Sequence, residues 1–424
     1  MLFIFAEIIG VSILLRKQRK VHSVKALMFS FLVQTLILIS YILELREKWG
    51  RIVYWSDAEY YWNATLEMLN GVVPSVYNIG YVFYSWLLQL TSPIVTPIWN
   101  NVSNLILLNL SFLLGIQMIM GEVKQKFRRL PWFSYLVTIG NPLVIYSLCR
   151  NLKDVLFLFY TVLSIYVGVK LMQTLVNSRI RLSRNIPVVM LSISSYLLSF
   201  SALLSSVRVW GWMIPTFNVL LITSALALSS TTKKRFKWVL IPLLSVILFV
   251  PYFTFSPKVQ QISFWIESRE NLVQMGRQMS ALQSVLVGPF VMFFGPGPIR
   301  SLFGSTYFQF YTHVGNVSSF LGSVVWYFFL PWFGTNLLRR LRWSAKFVSF
   351  KMTAFILLLL LGIYSYFYGG STELRFRGVL YVLTGLVYVA VDWAERDIPK
   401  RIIVESPLFY IGLVLNLVAV VLSL

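Results

Sequence analysis

The chain has 424 residues, of which 57% are hydrophobic, 16% aromatic and only 12% charged. A soluble globular protein carries about 25% charged and roughly 45–50% apolar residues, so this balance excludes an ordinary soluble enzyme, a disordered chain and a disulfide scaffold, and indicates an all-α integral membrane protein. Lys and Arg number 37 against 15 Asp and Glu, a formal net charge of +22; the cations cluster between apolar runs, a loop bias of membrane proteins rather than a nucleic-acid footprint.

A crossing takes about 20 mostly apolar residues. In chain order the candidates are 1–15, 25–44, 77–94, 102–120, 132–149, 155–176, 186–207, 209–228, 238–255, 284–303, 317–336, 347–368, 378–393 and 406–424. The first opens apolar at once, holds Glu7 and has no small-residue cleavage site, so it reads as a retained span and not a signal peptide. No soluble domain or internal repeat interrupts the series. The expectation is one polytopic domain over 1–424, with a first outer loop at 45–101 and a second at 256–316. Cys149 is the single cysteine, so no disulfide forms within the chain. With only His22 and His313 present, a multi-His metal site is disfavoured.

Basic clusters set the sidedness. They are Arg16-Lys17-Gln18-Arg19-Lys20, Lys124 to Arg129, Arg179/Arg181/Arg184, Lys233-Lys234-Arg235 with Lys237, Arg339-Arg340-Leu341-Arg342, and Arg396 with Lys400-Arg401. If all fourteen segments crossed, Lys124–Arg129 would face the side opposite Arg16–Lys20. If 77–94 and 284–303 do not cross, every cluster falls on the cytoplasmic side. Both segments have their own signs of interruption. Pro74, Pro93 and Pro97 bracket the first, and the second holds Gly288-Pro289 and Gly295-Pro296-Gly297-Pro298. The expectation is therefore twelve crossings plus two outer-face juxtamembrane or re-entrant helices.

Under this topology the outer face collects a second set of charges. These are Asp57 and Glu59; Arg150, Lys153 and Asp154; Arg208 between two spans; Lys258, Glu267, Arg269, Glu270 and Arg277; Arg300; and Glu373, Arg375 and Arg377. Ionisable residues at membrane depth are costly and point to function. A carboxylate can take the proton of an acceptor hydroxyl, and Arg or Lys can hold a leaving phosphate. Each residue also has a structural alternative. Asp57 and Glu59 suit a helix start. Arg150 and Lys153 suit interfacial anchoring, and Lys153 could pair with Asp154. Arg208 could sit in a tight hairpin, and one of Arg375 and Arg377 could be an anchor. His313 suits a loop or packing role.

Several stretches resemble the polytopic GT-C glycosyltransferases, especially bacterial polysaccharide-assembly members that use polyprenyl-linked sugars. Asp57-Ala58-x-x-Tyr61-x-x-Ala64, followed by Gly71 and Pro74, is similar to their first outer loop. Asn141-Pro142 with Arg150-Asn151-Leu152-Lys153-Asp154 resembles an Asn-Pro span followed by a basic-acidic pair. Leu203-Leu204-Ser205-Ser206-Val207-Arg208, Phe294-Gly295-Pro296-Gly297-Pro298 and Glu373-Leu374-Arg375-Phe376-Arg377 each resemble later family segments. The resemblance implies Asp57 as general base with Glu59 as a second carboxylate. Lys153, Arg208 and Arg375 would be phosphate contacts. Arg150 and Arg377 join this donor-phosphate set, with Asp154, Glu373 and Tyr61 as further candidates. The His and double Pro often found on the family's second outer helix are absent; Tyr77 to Tyr84 stands there. No cofactor is assigned, and a divalent metal is left open.

The expected function is transfer of a sugar from a polyprenyl-phosphate donor to a glycan or lipid acceptor. It would occur at the outer face of the inner (cytoplasmic) membrane, with lipid as a partner and no nucleic acid. Alternatives are a polymerase of the Wzy kind, a related oligosaccharide ligase acting on pyrophosphate-linked substrates, and a lipid-linked-sugar transporter.

Overall fold

The computed structural model describes residues 2–53, 56–123, 129–177, 186–229, 263–264, 266–271, 280–294, 298, 312–368, 374–394, 407 and 409–414. Among them every regular element is a helix. Among the described residues six helices are long and apolar enough to cross a membrane. They are α2 (Val24–Trp49), α5 (Ile98–Met120), α8 (Asp154–Asn177), α13 (His313–Ser344), α14 (Val348–Tyr368) and α15 (Leu374–Trp393). The others are α1 (Leu2–Lys17), α3 (Ser56–Leu69), α4 (Ile79–Leu90), α6 (Trp132–Leu136), α7 (Pro142–Cys149), α9 (Ile186–Val207), α10 (Met213–Ser229), α11 (Ala281–Leu286) and α12 (Gly288–Phe294). The expected spans 238–255 and 406–424 lie wholly or largely outside the described residues. Helix α4 has 12 residues, about 18 Å of rise, well short of a hydrocarbon core of about 30 Å. The segment 284–303 contains the end of α11 and all of α12, which are shorter still.

One expected span is corrected. Residues 132–149 form two helices, α6 and α7, separated by Val137–Asn141. Pro142 has no N–H to donate and its ring opposes a helix arriving from before it. Asn141 instead caps α7, its side chain accepting from the amides of Leu143 at 3.0 Å and Val144 at 3.3 Å. Gln34 of α2 donates to the carbonyl of Ile139 at 2.8 Å and exchanges hydrogen bonds with Asn109. A helix break in an apolar interior is tolerated where neighbouring side chains satisfy the backbone in this way.

Glycines let the long helices close around this break. A Cβ on Gly315 or Gly322 of α13 would lie 2.5 Å from Tyr146 or 2.4 Å from Leu143, and one on Gly378 or Gly385 of α15 would lie 2.3 Å from Ser147 or 2.2 Å from Thr138. Both glycine pairs are spaced seven residues apart, so each pair lies on one helix face. Small residues of this kind permit close backbone approach within a membrane. Replacing Gly322 by Ala would set its Cβ 2.6 Å from the Leu143 backbone nitrogen. That atom cannot swing aside, so the change should destabilise by about 1–3 kcal/mol, read as a lower thermal midpoint in detergent.

The bundle has two chemically distinct ends. At one, Leu130 N–H donates to Val21 carbonyl at 2.9 Å, Arg340 pairs with Asp392 at 3.2 Å, and the Glu122 carboxylate caps α14 through the amides of Val348 and Ser349. The Arg16–Lys20 and Arg339–Arg342 clusters belong to this end. At the other, the Glu44 carboxylate caps α13 through the amides of His313 at 2.6 Å and Val314 at 2.9 Å. Carboxylates at helix N-termini meet unpaired N–H groups and the positive end of the helix dipole. Helix α15 runs through the middle, buried on nearly every side, while α2 lies at the rim with most of its surface turned outward.

Candidate functional site

The candidate site is at the Glu44 end, where five remote segments meet. Helix α3 brings Asp57 in its first turn, a position that favours acidic residues. Tyr61 and Ala64 continue that face and are buried, as is Ala58. The Arg150–Lys153 loop joins α7 to α8, and Asp154 opens α8. Arg208 follows the last residue of α9. Its turn is tight, since a Cβ on Gly211 would lie 2.4 Å from the carbonyl oxygen of Leu204. Arg375 stands in the first turn of α15, and Asn78 precedes α4.

Asp57 and Arg375, 318 positions apart, form an ion pair. The Asp57 side chain is 37% exposed and that of Arg375 17%, so the pair opens to its surroundings. Burial alone would raise the Asp57 carboxyl, but Arg375, Lys153 and Arg208 hold it below the ordinary carboxylate range. Lys153 Nζ donates to the Tyr61 hydroxyl at 2.5 Å and lies 5.1 Å from the centre of that ring. With its amide turned so that both faces are satisfied, Asn78 donates to the Val207 carbonyl at 2.7 Å and accepts from Lys153 Nζ at 2.6 Å and from the Tyr61 hydroxyl at 2.9 Å. The opposite orientation would set an amide NH2 against an ammonium, which has only donors. Burial and the neighbouring Arg208 push the Lys153 ammonium down to about 7. Burial, and then the Asp57 charge, push the Tyr61 phenol up, so it stays neutral.

Arg208 and Asp154 form a second ion pair, fully enclosed at 4% and 0% exposure. Arg208 also donates to the Tyr368 hydroxyl at 3.1 Å. Its guanidinium lies within 5.2–5.7 Å of the ring centres of Phe376, Phe157, Trp210 and Tyr364. Burial would lower its pKa, but the Asp154 carboxylate more than offsets this and the group remains a cation. Phe376 stacks on Tyr368 at 4.0 Å and lies 5.0 Å beneath the Arg375 guanidinium. One aromatic stack therefore links the two arginines.

Asn151 pins the loop that presents Lys153. Its side chain donates to the Ala58 carbonyl at 3.0 Å and accepts from Tyr81 at 2.8 Å and Asn100 at 2.7 Å. Both Asn78 and Asn151 went unassigned in the sequence, as did the aromatic surroundings of Arg208. Neutral amides leave no charge signal, and aromatics in or beside apolar runs leave none either.

The structure thus brings together Asp57, Tyr61, Lys153, Asp154, Arg208 and Arg375. Glu59 instead pairs with Arg51 at 3.0 Å on an exposed face. Arg150 lies 5.2 Å over the Tyr146 ring. Arg377 is buried and donates to the Val291 carbonyl at 3.0 Å, holding α12 against α15. Glu373 lies outside the described residues. His313 has an exposed side chain. Among the described residues no group of three or more His, Cys, Asp or Glu is gathered as for a metal ion.

Chemically, the group combines a partly exposed carboxylate paired with Arg375 and two further cations, Lys153 and Arg208, whose charges act on it. Counting Lys153 as protonated, these three cations and the two carboxylates, Asp57 and Asp154, leave one net positive charge. Such a group can attract an anion and accept a proton from a neighbouring hydroxyl. No family model, no curated protein and no solved structure matches this chain.

Proposed function

We propose that this protein is a membrane glycosyltransferase that moves a sugar from a polyprenyl-phosphate donor to a glycan or lipid acceptor. One observation carries the reading: Asp57 pairs with Arg375, and the charges of Lys153 and Arg208, brought from other remote segments to the same end of an apolar helical bundle, help to hold it ionised. Asp57 takes the acceptor hydroxyl proton. The acceptor oxygen attacks the anomeric carbon from the face opposite the phosphate, and the carbon–oxygen bond to phosphate breaks with its electron pair going to the leaving group. The products are the glycosylated acceptor with inverted configuration, polyprenyl phosphate, and protonated Asp57. Arg375 and Lys153 stabilise the charge that grows on the phosphate; Arg208, enclosed by Asp154 and four rings, supports them from behind.

The test is a transfer assay with purified protein in lipid nanodiscs and a panel of labelled polyprenyl-phosphate sugars. The expected result is release of polyprenyl phosphate and addition of one sugar per acceptor. A ladder of products would favour a polymerase instead. Sugar-lipid flux across proteoliposomes, with no covalent transfer, would contradict the enzymatic reading.

Twelve crossings, the half-helices α6 and α7 together counted as one, with the Asp57 end on the outer, periplasmic or extracellular side of the inner membrane complete the proposal. It is supported by the Arg16–Lys20 and Arg339–Arg342 clusters at the opposite end of the bundle. Cys149 is buried, so thiol labelling has little background. A cysteine at the exposed position of Glu59 should react with a membrane-impermeant maleimide in intact cells. One at the exposed position of Arg339 should react only after permeabilisation. The reverse pattern would overturn the orientation.

A further inference from the structure

Arg375 has two claims on it. Its guanidinium holds the Asp57 carboxylate, and in the proposed reaction it also holds a phosphate. A carboxylate bound to guanidinium is a weakened base, because the pairing stabilises its ionised form. A phosphate offers that planar fork two oxygens of the same geometry as a carboxylate. The other pair cannot play this part. Arg208 and Asp154 are 4% and 0% exposed, whereas Asp57 is 37% exposed and can part from its partner without leaving a charge entombed. Tyr61 and Asn78 hold Lys153 in place, so Arg375 is the cation whose partner can be exchanged.

We propose that Arg375 is a shared latch: a polyprenyl phosphate draws its guanidinium from Asp57, and the released carboxylate then serves the acceptor hydroxyl. This rests on the phosphate-binding reading above. It couples donor binding to the freeing of the base, so that Asp57 gains its proton-accepting role when a donor phosphate is there to leave. By reciprocity, the factor by which a bound phosphate weakens the Asp57–Arg375 pair equals the factor by which that pair weakens phosphate binding.

The experiment is a double-mutant cycle on equilibrium binding of a polyprenyl monophosphate to the full chain in phosphatidylcholine nanodiscs. Wild type, Asp57→Asn, Arg375→Met and the double variant are compared, each first shown to melt as the wild type does. Asp57→Asn should bind on the order of 10-fold more tightly, within the usual span of coupling between linked sites. That gain should vanish in the Arg375→Met background. Should Arg375→Met not fold, Arg375→Lys replaces it; it keeps the charge and removes the fork, so the gain should shrink. A gain that persists undiminished without Arg375 would be a general charge effect and would overturn the latch, as would no gain at all; phosphate binding by the wild type would leave the glycosyltransferase reading standing. If neither the wild type nor Asp57→Asn binds, the phosphate reading fails and takes the latch with it.

Discussion

Replacing Arg208 with Ala should destabilise the protein by about 3–5 kcal/mol, because it strands the Asp154 carboxylate in an apolar interior. Asp154 is fully buried, its Oδ1 faces Arg208, and its other oxygen has no hydrogen-bond partner among the described residues. The loss should appear as a fall of roughly 5 °C or more in the thermal midpoint in detergent. Much of it should return when Arg208→Met is combined with Asp154→Leu, since a buried pair replaced by apolar groups of similar volume is often neutral or better. On the proposed function, activity should not return with it, because the cation assigned to support the phosphate is gone. An Arg208→Ala protein that melts like the wild type would mean that the two charges are not enclosed together.

Asp57→Asn should act in the opposite way, with little change in stability and a large change in rate. Asp57 is partly exposed and its ion pair opens to its surroundings, so the amide can be solvated where the carboxylate was. Loss of a positioned general base lowers a rate by about 10²–10⁴-fold, and that is the expected fall in sugar transfer. Glu59→Gln should change the rate less than about twofold, because Glu59 pairs with Arg51 on the exposed side of the same helix turn. Equal losses in both variants would point to a general charge effect on donor capture and remove Asp57 from its role.

Much of this site was legible in the sequence as a set of costs. Asp57, Lys153, Asp154, Arg208 and Arg375 are ionisable residues beside apolar runs, and hydropathy alone marks them. What hydropathy does not carry is pairing. Lys153 lies next to Asp154, yet Asp154 takes Arg208, 54 positions on, and Lys153 turns to Tyr61, 92 positions back. Local spacing likewise gave Asp57 and Glu59 the same first-turn reading. Only the α3–α15 contact separates them, and it joins residues 318 apart.

The fold shows the same division. Composition and apolar length indicate an all-helical membrane chain, and the prolines around 77–94 mark the short helix α4. The break inside 132–149 was hidden. Its residues carry no charge and most are apolar, and the groups that make it tolerable, Gln34 and Gly322, come from distant helices. A single span and a capped pair of half-helices have the same hydropathy; Asn141-Pro142 was the local sign of the difference.

The most direct test is an experimental structure of the protein in a bilayer mimic with a polyprenyl monophosphate bound. The phosphate should lie within hydrogen-bonding distance of Arg375 and Lys153, on the side of the bundle that carries Asp57, with Arg208 and Asp154 still paired behind it. A phosphate bound at the Arg16–Lys20 end, or Asp57 and Lys153 on opposite membrane surfaces, would contradict the account at its root.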